Sequence, residues 1–265
     1  MAVQDTVAAT TLTVSNANVS AGTGVGMLAD GAGNSMSITG SIITGCAKGV
    51  VIRNGAVGNS ITGNSIHDNT GLGIDLGDDG VTPNDPSDAD SGPNNLQNFP
   101  IIRTALVGTP NTIRGTLNSA PGQTFTIHLY ASPTCDPSGN GEGQTLVGST
   151  TTTTNGSGDG LWALNPGSLS IGDFITATAT DSAGNTSEFS ACFQARAFTP
   201  GTITFSQVSN SETNANHDVN LVVSRTGGSD GAVSVQYSVN DGTALVADND
   251  YSVAAPTGHV HLGQR

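Results

Sequence analysis

The chain has 265 residues, a formal net charge of −14, only 11% charged residues and 36 glycines, the glycine share being about twice the usual roughly 7%. Glu142, Glu188 and Glu212 are the only Glu and Lys48 the only Lys, so the Glu- and Lys-rich faces of long soluble helices cannot be built and a mainly helical protein is excluded. Six Arg and one Lys give no basic footprint for nucleic-acid phosphates, and no apolar run approaches the roughly 18 residues of a bilayer span.

Asp, Asn, Gly, Ser and Thr instead stock turns and strand surfaces, which predicts an all-β chain with many tight connections. Residues 1–96 repeat themselves. Val14, Ile38 and Ile61 form one column, and Val19, Ile43 and Ile66 a second with the same spacing. A third holds Gly24-Val25, Gly49-Val50 and Gly73-Ile74, followed two places on by Met27, Ile52 and Leu76. A unit this small cannot bury its own apolar face and must stack on its neighbour. Asn59, Asn64 and Asn69 are expected at the bends, where Asn tolerates left-handed backbone and can hydrogen-bond the next turn.

The segments "NSMSITGSIITGCAKGVVI" and "NSITGNSIHDNTGLGIDL" resemble the right-handed parallel β-helix of the pectate-lyase-like families. That resemblance implies a short solenoid. The first coil would leave an open edge, so further coils are expected upstream, and no signal peptide is visible from Met1 to Thr10. Enzymatic solenoids of this kind need clustered acids or bases with an Arg or Lys. His67 and Asp68, with Lys48 and Arg53 one coil earlier, are the only such set in sight, and decoration of bends is the expected role.

The repeat stops at "GDDGVTPNDPSDADSGPNNLQNFP", where Asp75, Asp78, Asp79, Asp85, Asp88 and Asp90 fall close together. Hard Ca²⁺ takes six to eight oxygens from such a loop. The register of an EF-hand is absent, and turn capping is the simpler use of these side chains.

From 97 to 197 the pattern changes to alternating strands, as in "TFTIHLYA", where Phe125, Ile127 and Leu129 face one way and Thr126, His128 and Tyr130 the other. Turn clusters between such runs suit a β-sandwich, with Trp162 as a core anchor. The segments "ASPTCDPSGNGEGQTLVGS" and "ITATATDSAGNTSEFSACF" resemble bacterial immunoglobulin-like modules, which act as spacers and stalks. In an oxidising compartment Cys135 and Cys192 would pair, closing a loop worth roughly 4 kcal/mol. Cys46 reads as a buried small side chain. Free thiols throughout are the alternative.

Residues 198–265 show period-two alternation on both sides of "RTGGSDGA", at Val219, Leu221 and Val223 and again at Val233, Val235, Tyr237 and Val239, which predicts a hairpin. The turn "RTGGSDGAVSV", then "DGTA" and "DNDY", resemble a Calx-β domain, a Ca²⁺-binding sandwich. The resemblance implies that Glu212 and Asp250 are Ca²⁺ ligands of an incomplete site, the remaining ligands being expected beyond Arg265. His259 and His261 in "GHVHLG" alternate and would share a face, where two imidazoles can bind a transition metal.

The resulting expectation is an all-β segment of an extracellular or cell-surface bacterial repeat protein, non-catalytic and adhesive, with Ca²⁺ as the cofactor and other modules of a longer chain, a glycan or a surface receptor as partners. A polysaccharide-active lyase or epimerase with accessory β-modules is the alternative.

Overall fold

Ten short strands fold the first third of the chain into stacked coils: β1 (Val3–Asp5), β2 (Thr11–Ser15), β3 (Asn18–Val19), β4 (Val25–Asp30), β5 (Ser35–Thr39), β6 (Ile42–Thr44), β7 (Lys48–Arg53), β8 (Ser60–Thr62), β9 (Ser65–His67) and β10 (Ile74–Leu76). The computed structural model describes residues 10–206, 222–242, 244–248, 252, 255 and 257–262, with backbone alone for 3–5, 248 and 261. These fall into two compact units, Met1–Ala197 and Phe198–Arg265. Among the described residues every regular element is a strand apart from two 3-10 turns, Pro93–Leu96 and Val246–Asp248, and no helix is long and apolar enough to cross a membrane.

The strands sort into three sheets, β1-β4-β7-β10, β2-β5-β8 and β3-β6-β9, and the pairings within them are parallel. Val14 lies beside Ile38 and Ile38 beside Ile61, while Val19, Ile43 and Ile66 line up in the same way. Ile38, Ile43, Ile61 and Ile66 are buried in one core with Met27, Met36, Val50, Ile52, Ile74 and Leu76. β-branched side chains fit here because each packs against its counterpart one strand spacing away.

The third column departs from the expected register. Met27 pairs with Val50 and Ala29 with Ile52, so Val25 meets Lys48 rather than Val50. The next step, Val50 to Ile74 and Ile52 to Leu76, is as expected. The glycine that decides the matter is Gly26: a Cβ there would lie 2.6 Å from the Gly49 carbonyl oxygen and 2.9 Å from Ile43 Cγ2. The close backbone approach therefore needs glycine at 26 and 49, at 73 a Cβ would press on the Phe189 ring at 3.0 Å, and Gly24 belongs to the preceding turn. The slip is two residues, which keeps every side chain on the same face.

The asparagines lie at the bends as expected and bond a neighbouring coil, but without left-handed backbone. Asn59, Asn64 and Asn69 are buried and are not among the left-handed residues, a role taken nearby by Gly58, Gly63 and Asp68. Each reaches back to the preceding coil: Asn59 Oδ1 accepts from Met36 N, Asn64 Oδ1 from Ser41 N and Asn69 Oδ1 from Cys46 N, at 2.8 to 2.9 Å. Asn64 Nδ2 also donates to the Ile38 carbonyl at 2.8 Å. At the corners between sheets, where ladder bonds stop, these side chains satisfy buried backbone groups.

The last coil is finished by the following residues. Asn94 Oδ1 accepts from Asn59 N, Thr186 Oγ1 from Ile61 N, Tyr130 Oη from Gly63 N, and Asn185 Oδ1 from Gly58 N. Ile66 and Gly143 exchange two backbone hydrogen bonds of 2.8 Å. Gly73 faces the Phe189 ring as Gly49 faces Gly73, and Phe189 meets Tyr130 edge-on at 5.4 Å. Both rings belong to the coil core.

All but Asn94, which sits in the 3-10 turn just before it, belong to a two-sheet sandwich: β11 (Ile101–Val107), β12 (Thr112–Asn118), β13 (Thr124–Ser132), β14 (Thr145–Thr153), β15 (Asp159–Leu164), β16 (Phe174–Thr180), β17 (Phe193–Gln194) and β18 (Arg196–Ala197). The sheet orders are β15-β12-β11-β18 and β14-β13-β16-β17. Ile113, Leu117 and Trp162 from one sheet pack on Phe125, Ile127, Leu129, Ile175 and Ala177 from the other. Trp162 is buried as an anchor over Gly115. β16 is buried on both faces, because its threonine face turns to the segment that caps the coils: Thr176 Oγ1 donates to the Glu142 carbonyl and Thr180 bonds Thr186.

In the second unit, β19 (Thr202–Phe205) pairs with β20 (Val223–Thr226), and β21 (Val233–Ser238) pairs with β22 (Thr257–Leu262), both antiparallel. Among the described residues β20 and β21 do not pair, so the hairpin expected across "RTGGSDGA" is not seen there, and Val219 and Leu221 lie outside the described residues. Arg225 instead ties the turn to the start of the unit, donating to the Pro200, Asp230 and Gly231 carbonyls, while Asp230 Oδ2 accepts from Thr199 N. Alternating burial is present in β20 and β21. Periodicity fixes which face is inward, but not which strand is the neighbour.

Replacing Asn64 by Ala strands the Ser41 N–H and the Ile38 carbonyl in the interior, so a loss of about 3 kcal/mol is expected, read as a lowered urea midpoint with an unchanged slope.

Candidate functional site

The acidic residues after β10 separate into two groups. The first is a charge column along the coils. Asp30, Arg53 and Asp78 occupy successive coils, with Arg53 Nη2 at 2.9 Å from Asp30 Oδ2 and Nη1 at 2.8 Å from Asp78 Oδ2. Lys48 Nζ lies 2.7 Å from both Asp75 Oδ2 and Asp78 Oδ1. The hydrogen bond from Lys48, with that from Arg53, holds Asp78 below the usual carboxylate range despite partial burial. Arg53 does the same for Asp30. Burial alone would lower Lys48, but its bonds to Asp75 and Asp78 outweigh this and raise it. Asp78 is thus committed to two cationic side chains and is not free to ligate calcium, while Asp79 is exposed beside it.

The same pairs remove Lys48 and Arg53 from any partnership with His67. His67 and Asp68 do sit together at a bend, where Asp68 has φ +55° and its Oδ2 lies 2.8 Å from His67 Nδ1. They border an open cavity of about 150 Å³ with Asn69, Ser132, Asp136 and Glu142. Glu142 Oε1 accepts from Asn69 Nδ2 at 2.7 Å and from Asn69 N at 3.2 Å. Glu142 is therefore spent on holding the coil corner.

The second group is Asp85, Asp88 and Asp90, whose carboxylate oxygens lie within 4.8 Å of one another. The loop that brings them together is pinned from several sides. Asn98 Nδ2 donates to the Asp85 and Asn118 carbonyls, Asn84 bonds Phe99 in both directions, and Ser87 and Asp88 take left-handed backbone. Asp88 accepts from Asn98 N and Ser119 Oγ, and Asp85 accepts from Ala89 N. Burial, aided by the charges of Asp90 and Asp85, pushes Asp88 up to about 6. Burial and Asp85 raise Asp90 in the same direction. A proton or a hard cation relieves this repulsion.

Cys135 and Cys192 are joined as a disulfide, with Cα atoms 5.9 Å apart, which ties the hairpin after β13 to the segment after β16. Cys46 is a buried free thiol. Glu212 and Asp250 lie outside the described residues. His259 is exposed on β22, and the side chain of His261 lies outside the described residues. Sequence reading missed Glu142 and Glu188 as junction groups. Their only signal was rarity, as two of three Glu in the chain. No protein-family model matches this chain, and no curated protein matches it.

Two outcomes follow from this geometry. The folded pKa of Asp88 lies above its unfolded value, so its contribution to stability is present below about pH 4 and lost as the pH rises through about 6. Asp88→Asn should therefore exceed the wild type in stability at pH 8, by about 1 kcal/mol after allowance for partial exposure, and match it near pH 4 in chemical denaturation. Reduction of the Cys135–Cys192 bond, which spans 57 residues, should cost about 4 kcal/mol by loop-closure entropy, visible as a lower melting temperature.

Proposed function

We propose that the chain is a rigid, non-catalytic segment of an extracellular or cell-surface repeat protein: the end of a right-handed parallel β-helix, an immunoglobulin-like spacer fused to it, and part of a Calx-β domain. The observation that supports this best is the junction in the first unit, where sandwich side chains take the hydrogen-bonding positions of a further coil. A joint of that kind transmits force instead of hinging, which suits a stalk. The internal disulfide suits an oxidising, extracellular setting, and a net charge of −14 favours solubility and attracts cations.

Calcium at Asp85, Asp88 and Asp90 belongs to the same reading. Three carboxylates are a partial shell for an ion that takes six to eight oxygens, which implies weak, millimolar-range binding completed by carbonyls and water. A surface glycan or receptor is the partner class proposed for the whole protein.

Rigid coupling is tested by reading Trp162 fluorescence in the sandwich of the Asn64→Ala coil variant. The Trp162 transition should shift with the coil transition, and an unmoved sandwich transition would sink the stalk reading. Millimolar Ca²⁺ should raise the melting temperature at pH 8 and not in Asp88→Asn. Incubation with pectin or alginate should release no new chain ends or unsaturated sugars; product formation would favour a lyase or epimerase.

A further inference from the structure

The outer face of the sheet β15-β12-β11-β18 lies away from the sandwich core, which takes Ile113, Leu117 and Trp162 from the inner side. One row across this outer face is aliphatic at both ends: Leu161 stands beside Thr116, and Thr116 beside Ile101. Leu161 is 82% exposed and Ile101 40%. Two residues further along, Ala163 pairs with Arg114 and Arg114 with Thr104, while Arg103 occupies the bulge between Ile102 and Thr104. Both arginines are exposed, and among the described residues neither makes an ion pair. Arg196 of β18 stands at the same end, beside Leu106. The face thus holds three of the six Arg in a chain whose net charge is −14.

The other end is acidic. Two residues from Leu161 and Thr116 in the opposite direction, Asp159 pairs with Asn118, whose Nδ2 donates to Asp159 Oδ1 at 2.7 Å. The loop of Asp85, Asp88 and Asp90 is fastened to that end as well. Ser87 N donates to Asn118 Oδ1 at 2.7 Å, and Asn98 N, just before β11, donates to Asp88 Oδ1 at 3.0 Å. Along its strands the face therefore runs from acid, through an aliphatic row, to base.

We propose that this face pairs with the same face of a second copy, about a twofold axis lying along the Leu161–Thr116–Ile101 row. A twofold in that direction reverses the strands and keeps their lateral order, so the patch meets itself. Leu161 then packs on the partner's Leu161 and Ile101 on the partner's Ile101, which removes both from water. Arg114 and Asp159 lie on opposite sides of the axis, each two residues from it, or about 7 Å. Arg114 of each copy therefore comes over the partner's Asp159, and Arg103 over the partner's acidic loop. An axis along the strands would instead set base on base and acid on acid, which is repulsive. Four strands of about six residues offer roughly 400 Å² per copy, half the roughly 800 Å² of a standard interface. The pairing is accordingly weak and calls for a high local concentration. It does not depend on whether the chain serves as a stalk.

Sedimentation of the full chain in calcium-free buffer, from about 10 μM to about 1 mM, tests it. The weight-average mass should climb from 26.4 kDa toward twice that value. Leu161→Glu, Arg114→Asp and Asp159→Arg change exposed side chains, and each should pair at least about tenfold more weakly, because like charges or buried acids then face each other twice across the axis. An equimolar mixture of Arg114→Asp and Asp159→Arg should recover pairing, since each variant offers the charge the other lacks. A wild type that stays monomeric at about 1 mM leaves the face to solvent or to a different partner and overturns the proposal. Undiminished pairing in Leu161→Glu, or a mixture no better than its two components, overturns it equally.

Discussion

A stack of parallel strands ends in a row of backbone N–H and C=O groups that must be paired, covered or left to recruit another chain. Everything in the first unit follows from how the last coil meets that requirement. The asparagines inside the stack show the rule: each buried corner N–H receives a side-chain oxygen from the coil beyond it. At the last coil no further coil follows, and Asn94, Thr186, Tyr130, Glu142, Asn185 and Glu188 provide the oxygens instead. Phe189 fills the hollow over Gly73 that another coil would have filled. The coils and the sandwich share one core because the capping groups are planted on the sandwich.

The same requirement decides what the acids do. Those beside Lys48 and Arg53 are bound across coils as alternating charges and are neutralised there. Those in the loop of residues 85–90 have no basic partner among the described residues and crowd one another. Glu142 and Glu188 are drawn inside because a carboxylate can accept more than one backbone N–H, which a coil edge without a neighbour needs. An acidic composition that looks uniform in the sequence thus becomes three different chemistries, set by which backbone groups each side chain must serve.

Much of the architecture was legible. Columns at Val14, Ile38 and Ile61 and at Val19, Ile43 and Ile66 mark positions that lie side by side, because a repeated aliphatic position in a short unit has only its counterpart to pack on. The third column slipped by two because Gly24 and Gly26 look alike in sequence. Only the close approach to Gly49 tells them apart. Asn59, Asn64 and Asn69 were legible as corner residues that bond a neighbouring coil, but the left-handed backbone expected of them falls on the residue before each. The pairing of β20 was illegible for a different reason: alternation records burial, while the choice of partner rests on the Arg225 and Asp230 contacts. The cation candidates were visible as a run of Asp, yet Asp78 could not be told from Asp88 until Lys48 and Arg53 were placed. Glu142 and Glu188 gave no local pattern at all, since their partners lie 73 and 112 residues away.

Cys46 is enclosed between Ala21, whose N–H reaches its sulfur at 3.3 Å, and Gly26, where even one added carbon would touch it at 3.0 Å. Thiol–disulfide exchange needs an attacking sulfur to approach in line, and no such path exists once that coil has closed. A chain with three cysteines has three ways to form one bond. Shielding one sulfur in the coil interior leaves a single choice, so in the folded chain the Cys135–Cys192 cross-link cannot scramble with Cys46.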